Sequence, residues 1–466
     1  GDNSYTGTAY QFEAVVSQNV VENRNVILDI EASDAEGSPI TYSLSAGADV
    51  AQMNVNESSG LLSFNSAPDF EIPADVNSDN IYEATLAISD GEENSMYRVY
   101  VRVSDLDYEG EVPVAVNFRE LNKLAAPNTD SIARFGKQVA VSGTTAVVGD
   151  TGERAVFVYE YQSDSDSFVK VARLTPSVLV QGWGQSVALD DDIVVVGATK
   201  GFSMVSGQNR ETGLAYIFEK PSGGWVDMAA ETALLSPSDG RWYDDFGVSV
   251  ATSGDTIIVG AQFADTLASN IYTNEGAAYI FVKPDSSGWL TATENSKLVP
   301  SDSAPDQNFG RLVVMSGDTI VAQSSTGSYL FEKPLIGWNN AIEETKLTAS
   351  CLYVSAAVDG DTVILGYNGY YAAAFQRPAG GSWDDLILPN YLQASDGNYP
   401  SGFATSVGVS GDTVVVGASG DSSAYLFEKP AAGWSTNSTV NAKAKLTASD
   451  GEANDQFGAG VAIFGD

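Results

Sequence analysis

Carboxylates outnumber all other ionisable side chains in this 466-residue chain. Asp and Glu number 61 against 23 Lys and Arg, with no histidine and one cysteine, Cys351. Without histidine there is no Ser-His-Asp or Cys-His relay, and both the commonest general base and the commonest zinc ligand are missing. A lone Cys351 forms no internal disulfide and reads as a buried, inert thiol. Paired carboxylates can cleave glycosidic bonds, but at this abundance pairs arise by chance and none stands out. No catalytic residue is assigned, and the expectation is a protein that is not an enzyme. Oxygen-rich strings can instead hold calcium. The N-terminal hundred residues carry several: Glu22-Asn23, Asp34-Ala35-Glu36-Gly37, Asp69-Phe70-Glu71, Asp75 to Asn80, and Asp105-Leu106-Asp107.

The formal net charge of −38 sets a repulsive field against phosphate backbones and anionic lipid, so no nucleic acid is expected as a partner. Apolar runs such as Asp192 to Ala198 are strand-length, so no membrane insertion is expected. A hydrophobic share of 43% with 10% aromatic indicates folded domains rather than acidic disorder. Acidity with abundant Gly, Ser, Thr, Asn and Asp suits an extracellular or cell-surface, secreted and calcium-rich setting. The chain begins at Gly1 rather than Met, which reads as a piece of a longer protein.

The elements that must position these groups are repeats. VAVSGTTAVVGD at Val139–Asp150 returns as VALDDDIVVVGA at Val187–Ala198 and VATSGDTIIVGA at Val250–Ala261. Further copies stand at Val313–Ser324, Ala356–Tyr367 and Val407–Ala418, and VAIFGD closes the chain at Val461–Asp466. An aromatic-Gly pair precedes most copies: Phe135-Gly136, Trp183-Gly184, Phe246-Gly247, Phe309-Gly310 and Phe457-Gly458. Each repeat holds four strand-like runs. Run A follows the aromatic-Gly pair, and a Ser-Gly-Asp hairpin leads to run B, the VVVGA segment. Run C is the LAYIFEK type, followed by a turn to Trp225, Trp289, Trp338, Trp383 or Trp434. Run D often carries Lys-Leu. Four antiparallel strands per repeat without helices predict a propeller blade, with the tryptophans as packing between blades.

Lys123-Leu124 stands as a lone D run before the first A run, and Phe457–Phe464 as a lone A run after the last D run. These ends are expected to share a seventh blade, with 113–118 as its C strand. Its B strand would begin where the sequence stops, so the native chain is expected to continue.

These repeats resemble the FG-GAP repeat family of the integrin α-chain propeller and of many bacterial surface proteins, over about three-quarters of the chain. The resemblance implies a seven-bladed β-propeller. The acidic calcium loops of that family are replaced here by short Ser-Gly-Asp hairpins. Calcium is therefore not expected in the propeller, and Asp255, Asp318, Asp361 and Asp412 read as turn residues.

Residues 10–107 are a separate module of sandwich size, with alternating runs at Val26–Ala32, Ile40–Leu44, Gly60–Phe64, Tyr82–Ser89 and Tyr97–Val103. The string PDFE and the ASDG-like string Ile88-Ser89-Asp90-Gly91 resemble a cadherin-type repeat of the bacterial kind. That resemblance implies calcium bound by Glu22, Asp69, Glu71, Asp105 and Asp107 at the pole facing the propeller, with Asp34 and Glu36 at the other pole. The fold class expected is thus all-β: an Ig-like, cadherin-like β-sandwich plus a seven-bladed propeller whose last blade is shared by both ends. The domains are a tail at 1–9, the sandwich at 10–107, a linker at 108–113 and the propeller at 114–466.

The function expected is a non-catalytic extracellular binding and adhesion module, a calcium-stiffened spacer presenting the propeller's loop face to a protein or glycan ligand. Two rivals stay open. One is a structural subunit of an extracellular fibre or sheath, self-associating into a homopolymer filament. The other is a carbohydrate-active propeller enzyme.

Overall fold

A computed structural model describes every residue except 1–7, 22–25, 31–38, 70–72, 79, 90–93, 105–114, 126–134, 163–166, 267–272, 285–287, 336, 339–340, 348–352, 368–370, 384–388, 396–400, 431, 435, 452–454 and 466. The described residues are all-β, with single-turn 3-10 segments at Val50–Gln52 and Ser419–Asp421. No helix among the described residues is long and apolar enough to cross a membrane. The chain divides into two compact units, 11–121 and 122–465 with 1–10. The linker expected at 108–113 lies outside the described residues.

The smaller unit has a five-stranded and a three-stranded sheet. In the larger sheet, Thr41–Ala46 and Asn94–Ser104 flank Ile81–Ser89 antiparallel, and Thr8–Val21 runs parallel to Asn94–Ser104. Ala115–Ala125 follows Thr8–Val21 at the edge. Val26–Asp29 and Met53–Val55 flank Leu61–Phe64 in the smaller sheet. Alternation points Tyr82, Ala84 and Leu86 inward with Val99, Val101 and Val103, where they meet Ile27, Leu62 and Phe64 of the smaller sheet in one core. Strand Thr8–Val21 falls partly in the expected tail and was not among the expected runs.

Among the described residues, six sheets of the larger unit are built on four antiparallel strands in the order D-C-B-A. The third shows the plan: Phe246–Ser253, Thr256–Ala261, Ala277–Val282 and Ser296–Leu298. The expected runs A to D of all six complete repeats become these strands. In the second and fifth sheets a short parallel strand, Ala292–Thr293 or Thr439–Asn441, covers the exposed edge of the D strand. The tryptophans pack between sheets: Trp225 lies with Val156, Ala172 and Leu174 of the first, and Trp434 with Ile364 and Leu392 of the fifth.

Two contacts explain the repeat signature. The first is the approach of each aromatic-Gly pair to the preceding sheet. A Cβ at Gly197 or Gly260 would lie 2.0 or 1.9 Å from the carbonyl oxygen of Gly247 or Gly310, so run B needs glycine there. The aromatic partner turns into its own sheet: Phe246 meets Tyr279 and Phe281 edge-on at 5.4 and 6.1 Å. The second contact links hairpins. The N–H of Asp191 donates to Ser142 Oγ, that of Gly254 to Asp190 Oδ2, and that of Gly317 to Ser253 Oγ, at 3.1, 2.5 and 3.0 Å. Gly360 and Gly411 repeat this on Ser316 and Asp359. Hairpin residues Asp318, Asp361 and Asp412 also ion-pair with Lys333, Arg377 and Lys429, each one residue past the end of its own C strand, a role beyond turn chemistry.

The expected shared blade differs in form. Residues 115–118 and Lys123-Leu124 belong to one strand, Ala115–Ala125, whose sheet neighbour is Thr8–Val21. No strand is assigned within Phe457–Phe464.

Candidate functional site

Of the seven carboxylates expected to bind calcium, Glu22, Glu71, Asp105, Asp107, Asp34 and Glu36 lie outside the described residues. Asp69 is described and exposed. Among the described residues, no group of three or more Asp, Glu, His or Cys is placed to hold a metal ion. Cys351 also lies outside them. The smaller unit does bury other carboxylates. Asp49, 2% exposed, accepts the N–H groups of Val76 and Glu83 at 2.7 and 2.9 Å. Asp75 accepts that of Asn80 at 3.2 Å. Asp49 thereby ties Val76 to strand Ile81–Ser89.

In the larger unit, strand direction puts every B–C connection and every D–A connection at the same end of the sheets. The second repeat lengthens its B–C connection with a hairpin, Phe202–Val205 paired to Gln208–Glu211. Ser206 and Gly207 both take positive φ in its two-residue turn, the type I′ requirement. The hairpin is inverted in polarity. Ser203 and Val205 are buried, whereas Phe202 and Met204 are exposed at 47% and 68%. Trp242 and Tyr243, from the D–A connection into the third sheet, are also exposed. Phe202 meets Trp242 at 6.2 Å and 87°, and Trp242 meets Tyr243 at 6.0 Å and 51°. Lys200 Nζ stands 5.7 Å from the Tyr243 ring and pairs with Asp245 at 3.3 Å and Glu211 at 3.7 Å.

Tyr243 has φ +69°. Its N–H bonds to the Glu211 carbonyl at 2.8 Å, and in the next connection the N–H of Asp306 bonds to the Thr273 carbonyl at 2.7 Å. Asp306 has φ +59°, so the turn itself demands a left-handed residue at this place. Asp tolerates that geometry, whereas a bulky aromatic is strained there. Tyr243 gains little burial in return, since it stays 58% exposed.

The carboxylates of this end are tied into the fold. Asp239 accepts Tyr279 OH at 2.9 Å and Lys297 Nζ at 2.7 Å. Asp302 repeats this with Tyr329 at 2.7 Å and Lys346 at 2.5 Å. A third copy is Asp450 with Lys123 at 2.5 Å. Asp244 is 3% exposed and accepts the Arg241 N–H at 2.7 Å. Burial pushes its carboxyl up to about 7, the Arg241 N–H opposes this, and Asp265 adds to it. Gln307 fills the same position in the next connection. It accepts the Ala304 N–H at 3.0 Å and donates to Tyr329 OH at 2.6 Å. The burial of Asp244 keeps it from reaching a substrate, so the surface chemistry on offer is the aromatic cluster with its flanking charges.

The model of the FG-GAP repeat matches residues 118–160, 230–281, 390–427 and 440–466, so FG-GAP repeats are present in this chain. No curated protein matches the sequence. The fold is similar to the periplasmic gluconolactonase PpgL of Pseudomonas aeruginosa, at 14% identity over 79% of this chain and 92% of that one, with a TM-score of 0.45. It is similar to a functionally unknown protein from Desulfotomaculum acetoxidans at 13% identity over 70% and 92%, also with a TM-score of 0.45. Drosophila N-cadherin EC1-3 matches at 21% identity over 21% of this chain and 34% of that chain, with a TM-score of 0.17. Likenesses this weak transfer no activity.

Proposed function

We propose that the chain is a non-catalytic extracellular binding and adhesion module. A cadherin-like sandwich, stiffened by calcium at Glu22, Asp69, Glu71, Asp105 and Asp107, accompanies a seven-bladed propeller whose loop end holds a protein ligand. The observation that carries this reading is Tyr243, a strained residue whose ring is spent on solvent. Strain persists where the surroundings impose it, and it concentrates at ligand sites. Phe202, Met204 and Trp242 extend the same exposed apolar surface, and its residue types are those enriched in protein interfaces. The perpendicular setting of Phe202 and Trp242 offers no flat platform for a sugar ring, which favours a protein over a glycan.

The seventh blade draws support from two contacts. Lys123 meets Asp450 as Lys297 meets Asp239 and Lys346 meets Asp302. Ser406 meets Gly458 as Ser186 meets Gly247. The extracellular setting rests on acidity and on the FG-GAP repeats.

An adhesion assay tests the reading. Beads carrying the chain are expected to bind an immobilised extracellular protein, and Trp242→Ser with Phe202→Ser to abolish that binding without lowering the melting temperature. Retained binding by the double variant, or turnover of a sugar lactone by the wild type, contradicts the proposal.

A further inference from the structure

We propose that the central cavity of the larger unit is a binding site for a small oxyanion, the carboxylate or phosphate group of a small molecule, held by Arg311, Lys137 and Gln185. The cavity measures about 670 Å³ and is lined by the inner strands of all six sheets and by Ala459–Val461, a size that suits a small ligand. Among the described residues its lining includes the cations Lys137 and Arg311 and no Asp or Glu, in a chain with 61 of them.

Arg311 is the decisive residue. Elsewhere in this unit Lys220, Lys283, Lys297, Lys346, Arg377 and Lys429 each meet a carboxylate. Arg311 is half-buried, yet among the described residues its guanidinium has no ion pair and no hydrogen-bond acceptor. Its loss of water holds its pKa below the usual arginine value, with no carboxylate to restore it. A desolvated cation without a partner is costly, and an anion in the cavity removes that cost. Arginine's forked donors suit a carboxylate or phosphate bidentately.

Lys137 and Gln185 supply further donors. Gln185 stands two residues after Trp183 and Lys137 two after Phe135, as Arg311 does after Phe309, so these side chains occupy one level of the inner strands. The Thr199 hydroxyl donates to Gln185 Oε1 at 3.0 Å, which leaves the amide N–H groups available. The acidic exterior does not forbid an anion here, because its field is screened over about 8 Å at physiological salt.

The experiment is thermal unfolding of the full chain with inorganic phosphate, citrate or chloride at matched ionic strength. Phosphate or citrate at ~10 mM, a hundredfold over a ~0.1 mM dissociation constant, is expected to raise the melting temperature by mass action, and chloride is not. Stronger stabilisation by citrate assigns a carboxylate, and by phosphate a phosphate group. Arg311→Met keeps the stem and removes the charge. It is expected to melt at or above the wild-type temperature without anion and to weaken anion binding at least tenfold. Arg311→Gln serves as a second variant should the Met chain misfold. Equal anion shifts in wild type and variants, or no shift with either anion, overturn the site. Neither result bears on the aromatic loop end.

Discussion

The Ser406 hydroxyl donates to the carbonyl oxygen of Gly458 at 2.7 Å. Ser186, Ser249 and Ser355 make the same bond to Gly247, Gly310 and Ala404, at 2.8, 2.9 and 2.8 Å. Gly458 thus stands to the sixth sheet as each aromatic-Gly pair stands to the sheet before it. A Cβ at Gly417 would lie 2.0 Å from the Gly458 oxygen, and one at Gly460 would lie 2.8 Å from the Lys137 oxygen. The segment therefore touches both the sixth sheet and the first.

Ser406→Ala should loosen this segment. Loss of one half-buried bond costs about 1 kcal/mol, so hydrogen exchange at 458–463 is expected to speed up severalfold while the second to fifth sheets stay unchanged. Exchange unaltered at 458–463 would show that the bond carries nothing.

Glycines should separate into two classes. Gly260→Ala drives a methyl into the Gly310 carbonyl at 1.9 Å, and a loss of about 3 kcal/mol or more is expected. Gly254 has φ +54° with nothing within 4 Å of a new Cβ. Gly254→Ala should cost about 1 kcal/mol from backbone conformation alone. Denaturant midpoints check the order, and similar losses at both sites would refute the explanation of the GA signature.

Asp244 makes stability pH-dependent. Its folded pKa of about 7 lies above the ordinary 3.8, so the folded chain keeps a proton that the unfolded chain releases. This contribution is full below about pH 4 and falls as pH rises to 7. Asp244→Asn should keep the Arg241 bond and remove the charge. It is expected to stabilise by on the order of 2–3 kcal/mol at pH 8 and far less at pH 5. A stability difference independent of pH would contradict the assignment.

The repeat was legible because its signals are local: a glycine in each hairpin, an aromatic C run, a Lys-Leu D run. What glycine and aromatic do across sheets was not. Spacing alone does not say that the Gly247 carbonyl presses on Gly197. Asp244 and Asp245 look alike in sequence, and only the fold buries one and leaves the other to Lys200. The Phe202–Val205 hairpin hid for a related reason, since its alternation is ordinary and only the structure reveals that its apolar face is outward. Strand Thr8–Val21 breaks its apolar-polar alternation at Val15-Val16 and again at Gln18-Asn19, so no single period marks it.

Calcium remains testable apart from the propeller. Chelation should lower the melting temperature of the 11–121 unit and leave the 122–465 unit unchanged, because the latter's A–B hairpins are too short to wrap an ion. Glu71→Ala should reproduce the effect. A calorimetric trace unaffected by chelator would reduce the N-terminal carboxylates to solvated charge.

Binding of the Tyr243→Gly chain to the protein ligand found by adhesion assay tests the central claim most directly. Glycine suits φ +69°, so the variant should melt at or above the wild-type temperature, while losing the exposed ring should weaken binding tenfold or more. Unchanged affinity together with unchanged or raised stability would contradict the claim that this strained tyrosine belongs to a binding surface.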